Sequence, residues 1–303
     1  MLLAAELDIW RYQIHAEVWL LIAGIVALGW YAAHVIGPTA VPDGQPPVTR
    51  AQTGYFAAAV TLLWVASDWP MHDISEEYLY AVHMVQHLLI TFVIPPLFLL
   101  ATPQWLARLI VSRDGEVGIW VRRLTRPLVA GLLFNALVAL SHVPVIVNAS
   151  VDNGPLHYGL HVLLFTSALA MWTPVCGPLP ELRISLPAQM LYLFLMSIIP
   201  TIPAAWLTFA DNAVYQAYDH DVRLWGITVA DDQQAAGLIM KIVGGMYLWT
   251  LIAILFFRWS FDHAEDNVRV RRVTLDDELT YEAVVDEFDR LGEPTREAIP
   301  GDG

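Results

Sequence analysis

Long apolar stretches dominate the chain and alternate with short polar connections. A helix that crosses a membrane needs about 20 mostly apolar residues. Seven stretches approach that length: residues 16–36, 54–70, 78–102, 127–148, 155–175, 185–207 and 233–257. Prolines interrupt two of them, and we expect kinks there because spanning helices tolerate proline. The pattern predicts an all-α, polytopic membrane protein folded as a seven-transmembrane-helix bundle.

Basic residues lie mainly in alternate connections, and this sets the expected orientation. Lys241 lies within the seventh stretch, and 13 arginines fall in the loops after the first, third and fifth stretches or in the C-terminal tail. Only Arg11 and Arg223 fall on the other side. Cytoplasmic connections carry an excess of basic residues. We therefore expect a multi-pass protein of the cell membrane with its N-terminus outside and its C-terminus in the cytoplasm.

Composition agrees with a membrane protein that has an acidic end. Hydrophobic residues make up 56% of the chain and charged residues only 15%, whereas soluble domains carry about 25% charge. Residues 1–258 are predicted to form the transmembrane domain and residues 259–303 an acidic cytoplasmic tail. An amphipathic stripe at about residues 275–291 predicts one short helix in that tail. The net charge of −14 argues against nucleic acid as a partner.

The sequence carries few groups suited to covalent catalysis. Cys176 is the single cysteine, which excludes a disulfide framework and a cysteine-based zinc site. No nucleophile with a neighbouring base and no phosphate-binding loop is recognisable. We therefore expect a protein that is not an enzyme.

Histidines are concentrated on the predicted outer side of the membrane. Eight of the ten fall there, namely His15, His72, His83, His87, His142, His157, His161 and His220. His83 and His87 are four residues apart in the third stretch, and His157 and His161 are four apart in the fifth, so each pair shares one helix face. Both pairs lie about 10 Å below the predicted helix starts. Ionisable groups at such depth face a protein interior, so the two pairs predict one common site.

Further candidate ligands are predicted at the same level. Imidazole binds copper, zinc, iron or nickel, and a thioether shifts the preference towards Cu(I). The candidate metal ligands are therefore His83, His87, His157, His161, His142, Asp68, His72, Met84 and Asp232, with copper as the expected ion. Two other interpretations stay open, because a lone membrane histidine can form a hydrogen bond between helices and Met84 can be a packing residue.

Other functions are compatible with the same residues. Paired histidines on facing helices could hold b-type haem, and a buried polar cluster could belong to a metal or proton transporter. A retinal Schiff base at Lys241 is disfavoured, because the third stretch supplies no carboxylate as counter-ion. We expect Lys241 to extend towards the membrane surface or to pair with an outer carboxylate such as Asp68.

Five short motifs follow one another along the chain: HMVQHLLITFVIPPLFLLATP at 83–103, SHVP at 141–144, NAS at 148–150, HYGLH at 157–161 and DDQQAAGLIM at 231–240. Taken in this order, they resemble a known family, the CtaG-type cytochrome c oxidase assembly factors. The resemblance covers about residues 54–258. It implies a multi-span bacterial membrane protein that assists the biogenesis of a caa-type oxidase.

The resemblance also implies a role in copper delivery, with haem-copper oxidase subunits or a periplasmic copper chaperone as partners. The polar cluster that it implies comprises His83, Gln86, His87, His142, His157, His161, Asp232 and Gln233. Lys241 and the acidic tail depart from the family pattern. The resemblance therefore implies nothing about a cytoplasmic role for the tail.

Overall fold

The structure, a computed structural model, describes residues 10–111, 115–219, 223–276 and 281–291. These residues form helices joined by turns and contain no strand, which confirms the all-α prediction. In chain order the longer helices are α1 Ala16–Ala40, α2 Arg50–Ser67, α3 Met71–Glu77, α4 Tyr80–Ala101, α5 Gln104–Ile110, α6 Glu116–Leu124, α7 Pro127–Ser141, α8 Pro144–Val151, α9 Gly154–Cys176, α10 Leu186–Thr208, α11 Val229–Leu238 with its continuation through Ile239–Val243 and Gly244–Asp276, and α12 Tyr281–Leu291. His220 lies outside the described residues.

Five of the described helices are long and apolar enough to cross a membrane. They are α1, α4, α9, α10 and the part of α11 from Val229 to Ala264. Helices α6 and α7 meet the same condition only as a pair bent by 75°, so the described residues give five spans, or six if the bent pair is one span. The prediction of seven spans is therefore not confirmed.

Two predicted spans account for the difference. Helix α2 begins at Arg50 and has Gln52 and Thr53 in its first turn, so its 18 residues are less apolar than a typical span. Helix α7 has only 15 residues, a length of about 22 Å against a hydrocarbon core of about 30 Å. The fourth stretch breaks after Ser141, and Pro144 begins the separate helix α8.

Pro95 and Pro96 interrupt the hydrogen bonding of α4 just beyond its histidines. Proline has no N–H to donate to the carbonyl oxygen four positions earlier, which frees the carbonyl groups of Thr91 and Phe92. The backbone over Leu89–Val93 forms a π-helical turn at this place. Buried carbonyl groups need a hydrogen-bond partner, so donors from other helices are required.

Two neighbouring helices supply these donors. The indole N–H of Trp172 in α9 donates to the carbonyl oxygen of Thr91 at 2.9 Å. The hydroxyl of Tyr247 in α11 donates to the carbonyl oxygen of Phe92, also at 2.9 Å. These two bonds tie α4 to α9 and α11 in the turn that follows His87.

An aromatic layer fills the bundle at the same level; it consists of Phe92, Phe134, Trp172 and Tyr247. The ring of Phe92 stacks on that of Tyr247 with centroids 6.2 Å apart. Its centroid lies 6.1 Å from that of Phe134 and 6.4 Å from that of Trp172. Phe92 follows His87 by five residues, so the layer lies about 7 Å further along α4 than this histidine.

The contacts divide the chain into two units, Met1–Ala253 and Ile254–Gly303. The described part of the second unit includes α12, which covers the later part of the short helix predicted at 275–291. Residues 277–280 of that prediction lie outside the described residues. The side chains of Val285, Phe288 and Leu291 on α12 are exposed. The predicted domain boundary between residues 258 and 259 stays a prediction.

Candidate metal centre

A buried carboxylate fixes the start of the helix that carries His83 and His87. Asp232, near the start of α11, accepts hydrogen bonds from the backbone N–H of Tyr80 at 2.7 Å and of Ala81 at 2.9 Å. The first N–H groups of a helix have no partner within the helix, and a negative charge there is favourable. Asp232 thus positions the first turn of α4, and the two histidines follow on the next turns.

The opposite side of the site is fixed by the start of α9. The side chain of Asn153 accepts a hydrogen bond from the backbone N–H of Leu156 at 3.1 Å. This cap orients the first turn of α9, which carries His157, and His161 follows one turn later. The two i,i+4 pairs of the sequence are therefore placed by two capped helix starts.

The structure brings five histidines together, and we name them the inner imidazole cluster: His83, His87, His142, His157 and His161. Ring centroids are 4.4 Å apart for His83 and His87 and 4.3 Å apart for His157 and His161. Between the helices, the centroid of His161 lies 5.6 Å from that of His83 and 4.9 Å from that of His87. His142, which follows the last residue of α7, lies 6.2 Å from His87.

Three members of the cluster lie close enough to share one ion. A ring nitrogen from each of His83, His157 and His161 lies within 4.8 Å of the other two. Among the residues that the structure describes, no other group of three histidines, cysteines or acidic residues has its donor atoms this close. The prediction that the two pairs face each other therefore agrees with the geometry.

Several ring nitrogens of the cluster are buried without a partner. Within the described ranges, Nδ1 of His83 and Nε2 of His87, His142 and His161 form no hydrogen bond. In His142 the other nitrogen, Nδ1, lies 2.7 Å from the carbonyl oxygen of Val138 and donates to it, because a carbonyl only accepts. Nε2 of this neutral ring therefore carries the free lone pair, as in a metal ligand.

A small cavity lies between the rings. Its volume is about 20 Å³, which is enough for about one water molecule or one ion. The lining side chains are those of Tyr80, His83, His87, Ser141, Val147, Ser150, His157, Leu160, His161 and Tyr218. The ring of Tyr80 stacks on that of His83 with centroids 5.4 Å apart and closes one side.

Glu76 lies against the cluster, although the sequence reasoning did not select it. Its Oε1 atom lies 2.5 Å from Nε2 of His157 and 3.8 Å from Nδ1 of His72. Burial is the largest single influence and raises the pKa of this carboxyl, but the hydrogen bond with His157 and the charges of the neighbouring imidazoles together outweigh it, so the pKa of Glu76 lies below its ordinary value. The i,i+4 spacing of His72 and Glu76 is the sequence signal that could have identified Glu76 as a neighbour of the site.

His72 lies beside the inner imidazole cluster rather than in it. Its ring centroid is 4.8 Å from that of His15 and 6.2 Å from that of Tyr158. Burial lowers the pKa of His72, and the nearby Glu76 opposes this only in part. The ring is therefore held in its neutral form, which is the form that binds metal ions.

Three predicted ligands have other contacts, and the structure does not bring them into the imidazole cluster. Met84 is buried and packs in an apolar cluster that includes Tyr80 and Ala204. The carboxylate of Asp232 accepts hydrogen bonds from the first turn of α4. Asp68, at the end of α2, accepts a hydrogen bond from the indole N–H of Trp64 at 2.8 Å. Structural contacts thus use Met84, Asp232 and one oxygen of Asp68, while Oδ1 of Asp68 is buried without a hydrogen bond within the described residues.

Gln233 of the last motif and Lys241, which directly follows that motif, also have structural contacts. The side-chain oxygen of Gln233 accepts from the backbone N–H of Val214 at 2.8 Å and of Tyr215 at 3.1 Å. Lys241 donates from Nζ to the hydroxyl of Thr201 at 2.7 Å, so the expected pairing with a carboxylate is replaced by a hydroxyl contact. These contacts fix the loop and the helices around the cluster.

Comparison with known proteins agrees with these motifs. The family model described as "Cytochrome c oxidase caa3 assembly factor (Caa3_CtaG)" matches residues 19–261, which include the whole inner imidazole cluster. A search of the curated proteins and a search of the solved structures gave no match. The match spans most of the chain and covers the apolar helices of a membrane protein. The chain therefore belongs to the family of cytochrome c oxidase caa3 assembly factors.

Proposed function

We propose that the chain assists oxidase assembly by holding copper at the inner imidazole cluster and passing it on. The partners would be a haem-copper oxidase subunit and a periplasmic copper chaperone. The observation that carries this proposal is the approach of His83, His157 and His161, with a ring nitrogen of each within 4.8 Å of the others. Buried nitrogens without partners in the same cluster support it, since a bound cation would supply the missing contact.

The donor set suits an ion that must be released again. Imidazole is a good ligand for copper, whereas the all-oxygen shells of calcium and magnesium are absent from the described part of the cluster. Two or three imidazoles leave coordination positions open on Cu(I). A partner protein could then take the ion by ligand exchange, without any covalent chemistry by this chain.

The orientation of the site follows from the arginine distribution. We propose that the N-terminus faces outside and the C-terminus the cytoplasm of the cell membrane, because basic residues mark cytoplasmic connections. Counting α2 and the bent α6–α7 pair as spans gives the seven that such opposite termini require. The starts of α4 and α9, and with them the inner imidazole cluster, would then lie in the extracytoplasmic half of the membrane.

The geometry disfavours two alternatives, haem binding and transport. A cavity of about 20 Å³ has room for an ion but not for a porphyrin. A transporter needs a polar path beyond the cluster, yet the aromatic layer of Phe92, Phe134, Trp172 and Tyr247 fills the bundle there. Binding and hand-over from one side fit the described structure better than passage through it.

Copper binding by the full chain in detergent micelles tests the proposal. Cu(I) is titrated anaerobically against a coloured chelator, with wild type compared to a variant carrying His87→Ala and His161→Ala. The matched control is His34→Ala, because His34 is exposed, and within the described residues its hydrogen bond and its ring stacking both involve Trp30 of its own helix. We expect the double variant to lose the tightly bound ion and the control to keep it. Equal binding by all three proteins would refute the proposal.

A deletion strain provides the functional readout. Cells complemented with wild type or with His34→Ala should assemble oxidase with its full copper content. Cells complemented with the double variant should make oxidase protein that lacks copper. Copper per oxidase is the quantity to measure, because a purely structural role would lower the amount of oxidase instead.

A further inference from the structure

A second group of donor side chains lies next to the inner imidazole cluster. We name it the outer group, and it consists of His15, His72, Asp73 and Glu76. Nε2 of His15 donates to Oδ1 of Asp73 at 2.6 Å, and the ring of His15 lies 4.8 Å from that of His72. His72 in turn faces Glu76, with Nδ1 and Oε1 3.8 Å apart. Two imidazoles and two carboxylates are thus held together by α1 and α3.

Two atoms of the outer group are buried and have no partner. His72 is 8% exposed and Asp73 7% exposed. Within the described residues, Nδ1 of His72 and Oδ2 of Asp73 form no hydrogen bond. A buried carboxylate oxygen or imidazole nitrogen without a contact is costly, and a cation bound at either atom would supply the missing contact.

Glu76 connects the outer group to the inner imidazole cluster. The same oxygen atom, Oε1, lies 3.8 Å from His72 and 2.5 Å from His157. An ion held by His72 and Glu76 would therefore share one ligand with an ion held by His157. No other carboxylate among the described residues forms an ion-pair contact with both groups.

We propose that the outer group is a second copper-binding position, which loads the inner imidazole cluster through Glu76. The step is a ligand exchange: the bond from copper to His72 breaks, a bond to His157 forms, and Glu76 stays bound throughout. The oxidation state of the ion does not change. This inference rests on the proposed function, because it needs the inner cluster as the destination of the ion.

The geometry also sets the order of affinity. The inner cluster has three donors within 4.8 Å of one another, and the described residues of the outer group do not reach that spacing. The outer position should bind more weakly than the inner one, as a loading position must.

Anaerobic Cu(I) titration of the full chain against chelators of different strength tests the proposal. Wild type should bind two ions, one tightly and one more weakly. A variant with His15→Ala and His72→Ala should lose only the weaker ion, and the variant with His87→Ala and His161→Ala should lose only the tight one. His34→Ala is the matched control, because His34 lies in α1, the helix that begins directly after His15, and this variant should bind both ions. Thermal unfolding of each protein checks that it is folded, and Asp73→Asn gives the same test if the double variant does not fold.

The two proposals fail in different ways. If the outer variant binds as many ions as wild type, the second position is refuted while the inner site stands. If the inner variant keeps the tight ion, the proposed function is refuted, and with it the destination of the transfer. Wild type that binds no copper refutes both.

The shared ligand has its own kinetic test. Glu76→Gln keeps the size of the side chain but removes its charge. Stopped-flow mixing with Cu(I) should show loading of the inner cluster slowed about tenfold or more, a typical effect of changing a group that supports a metal site. Loading at the wild-type rate would overturn the role of Glu76.

Discussion

Tyr247→Phe isolates one hydrogen bond that ties α4 into the bundle. The substitution removes only the hydroxyl that donates to the carbonyl oxygen of Phe92. Phe92 is 6% exposed, and the carbonyl would be left buried without a partner, at a cost of about 1–3 kcal/mol. For a chain of 303 residues, about 2 kcal/mol corresponds to a fall of about 3 °C in the melting temperature.

Pro96→Ala provides the decisive second half of the experiment. Alanine at this position restores the N–H that can donate to the carbonyl oxygen of Phe92 within the helix. The decrease in the free energy of unfolding caused by Tyr247→Phe should therefore be smaller in the Pro96→Ala background, with a coupling free energy of about 1 kcal/mol or more. Such a result would show that the tyrosine compensates for the proline.

Thermal unfolding of the four proteins of this cycle in detergent gives the measurement. Tyr55→Phe is the matched control, because Tyr55 is 40% exposed and its hydroxyl has no hydrogen bond within the described residues. We expect its melting temperature to equal that of wild type. The reasoning is refuted if Tyr247→Phe melts like wild type, or if it lowers the melting temperature equally in both backgrounds.

Two further predictions concern residues placed away from the imidazoles. Asp232→Asn replaces one of two accepting oxygens, so it should lower the free energy of unfolding by about 1.5–3 kcal/mol and weaken Cu(I) binding by loosening the start of α4. Asp231→Asn, at an exposed position, is the control. Equal melting temperatures of the two variants would contradict this role of Asp232. Met84→Leu keeps the packing volume and should leave the Cu(I) affinity unchanged in the chelator titration. A fall of about tenfold in that affinity would instead mean that the sulfur of Met84 is a ligand.

The features that the sequence predicted well are those that depend on local spacing. His83 and His87, like His157 and His161, must share a helix face because 3.6 residues make one turn. Because exposing these histidines to lipid at their depth in the membrane would be costly, the sequence alone indicated that the two pairs face each other. The helical class followed in the same way from the length of the apolar stretches.

Other features depend on contacts between distant parts of the chain. Nothing in the sequence near Asp232 shows that its carboxylate caps α4, about 150 residues earlier. Met84 and His83 are neighbours in sequence, yet they point to different sides of one helix, and only one faces the cluster. Glu76 was missed because acidic residues in connections are usually solvated, and its burial arises from the packing of α3.

The number of spans stays a prediction for a related reason. Apolar composition cannot show where a helix stops, and Pro144 divides a stretch that looked continuous. In α2 the polar first turn counted as a connection in the sequence but belongs to the helix in the structure. Both differences concern helix ends, which depend on caps and neighbouring contacts as well as on composition.

The aromatic layer has a kinetic consequence for the proposed delivery. Since Phe92, Trp172 and Tyr247 pack against one another beyond the cluster, we expect an ion to leave the imidazoles through the same opening by which it arrives. Copper donor and copper acceptor would then compete for one opening and use it in turn. Delivery would follow double-displacement kinetics, in which excess donor inhibits the acceptor, and a ternary complex of all three proteins would not form.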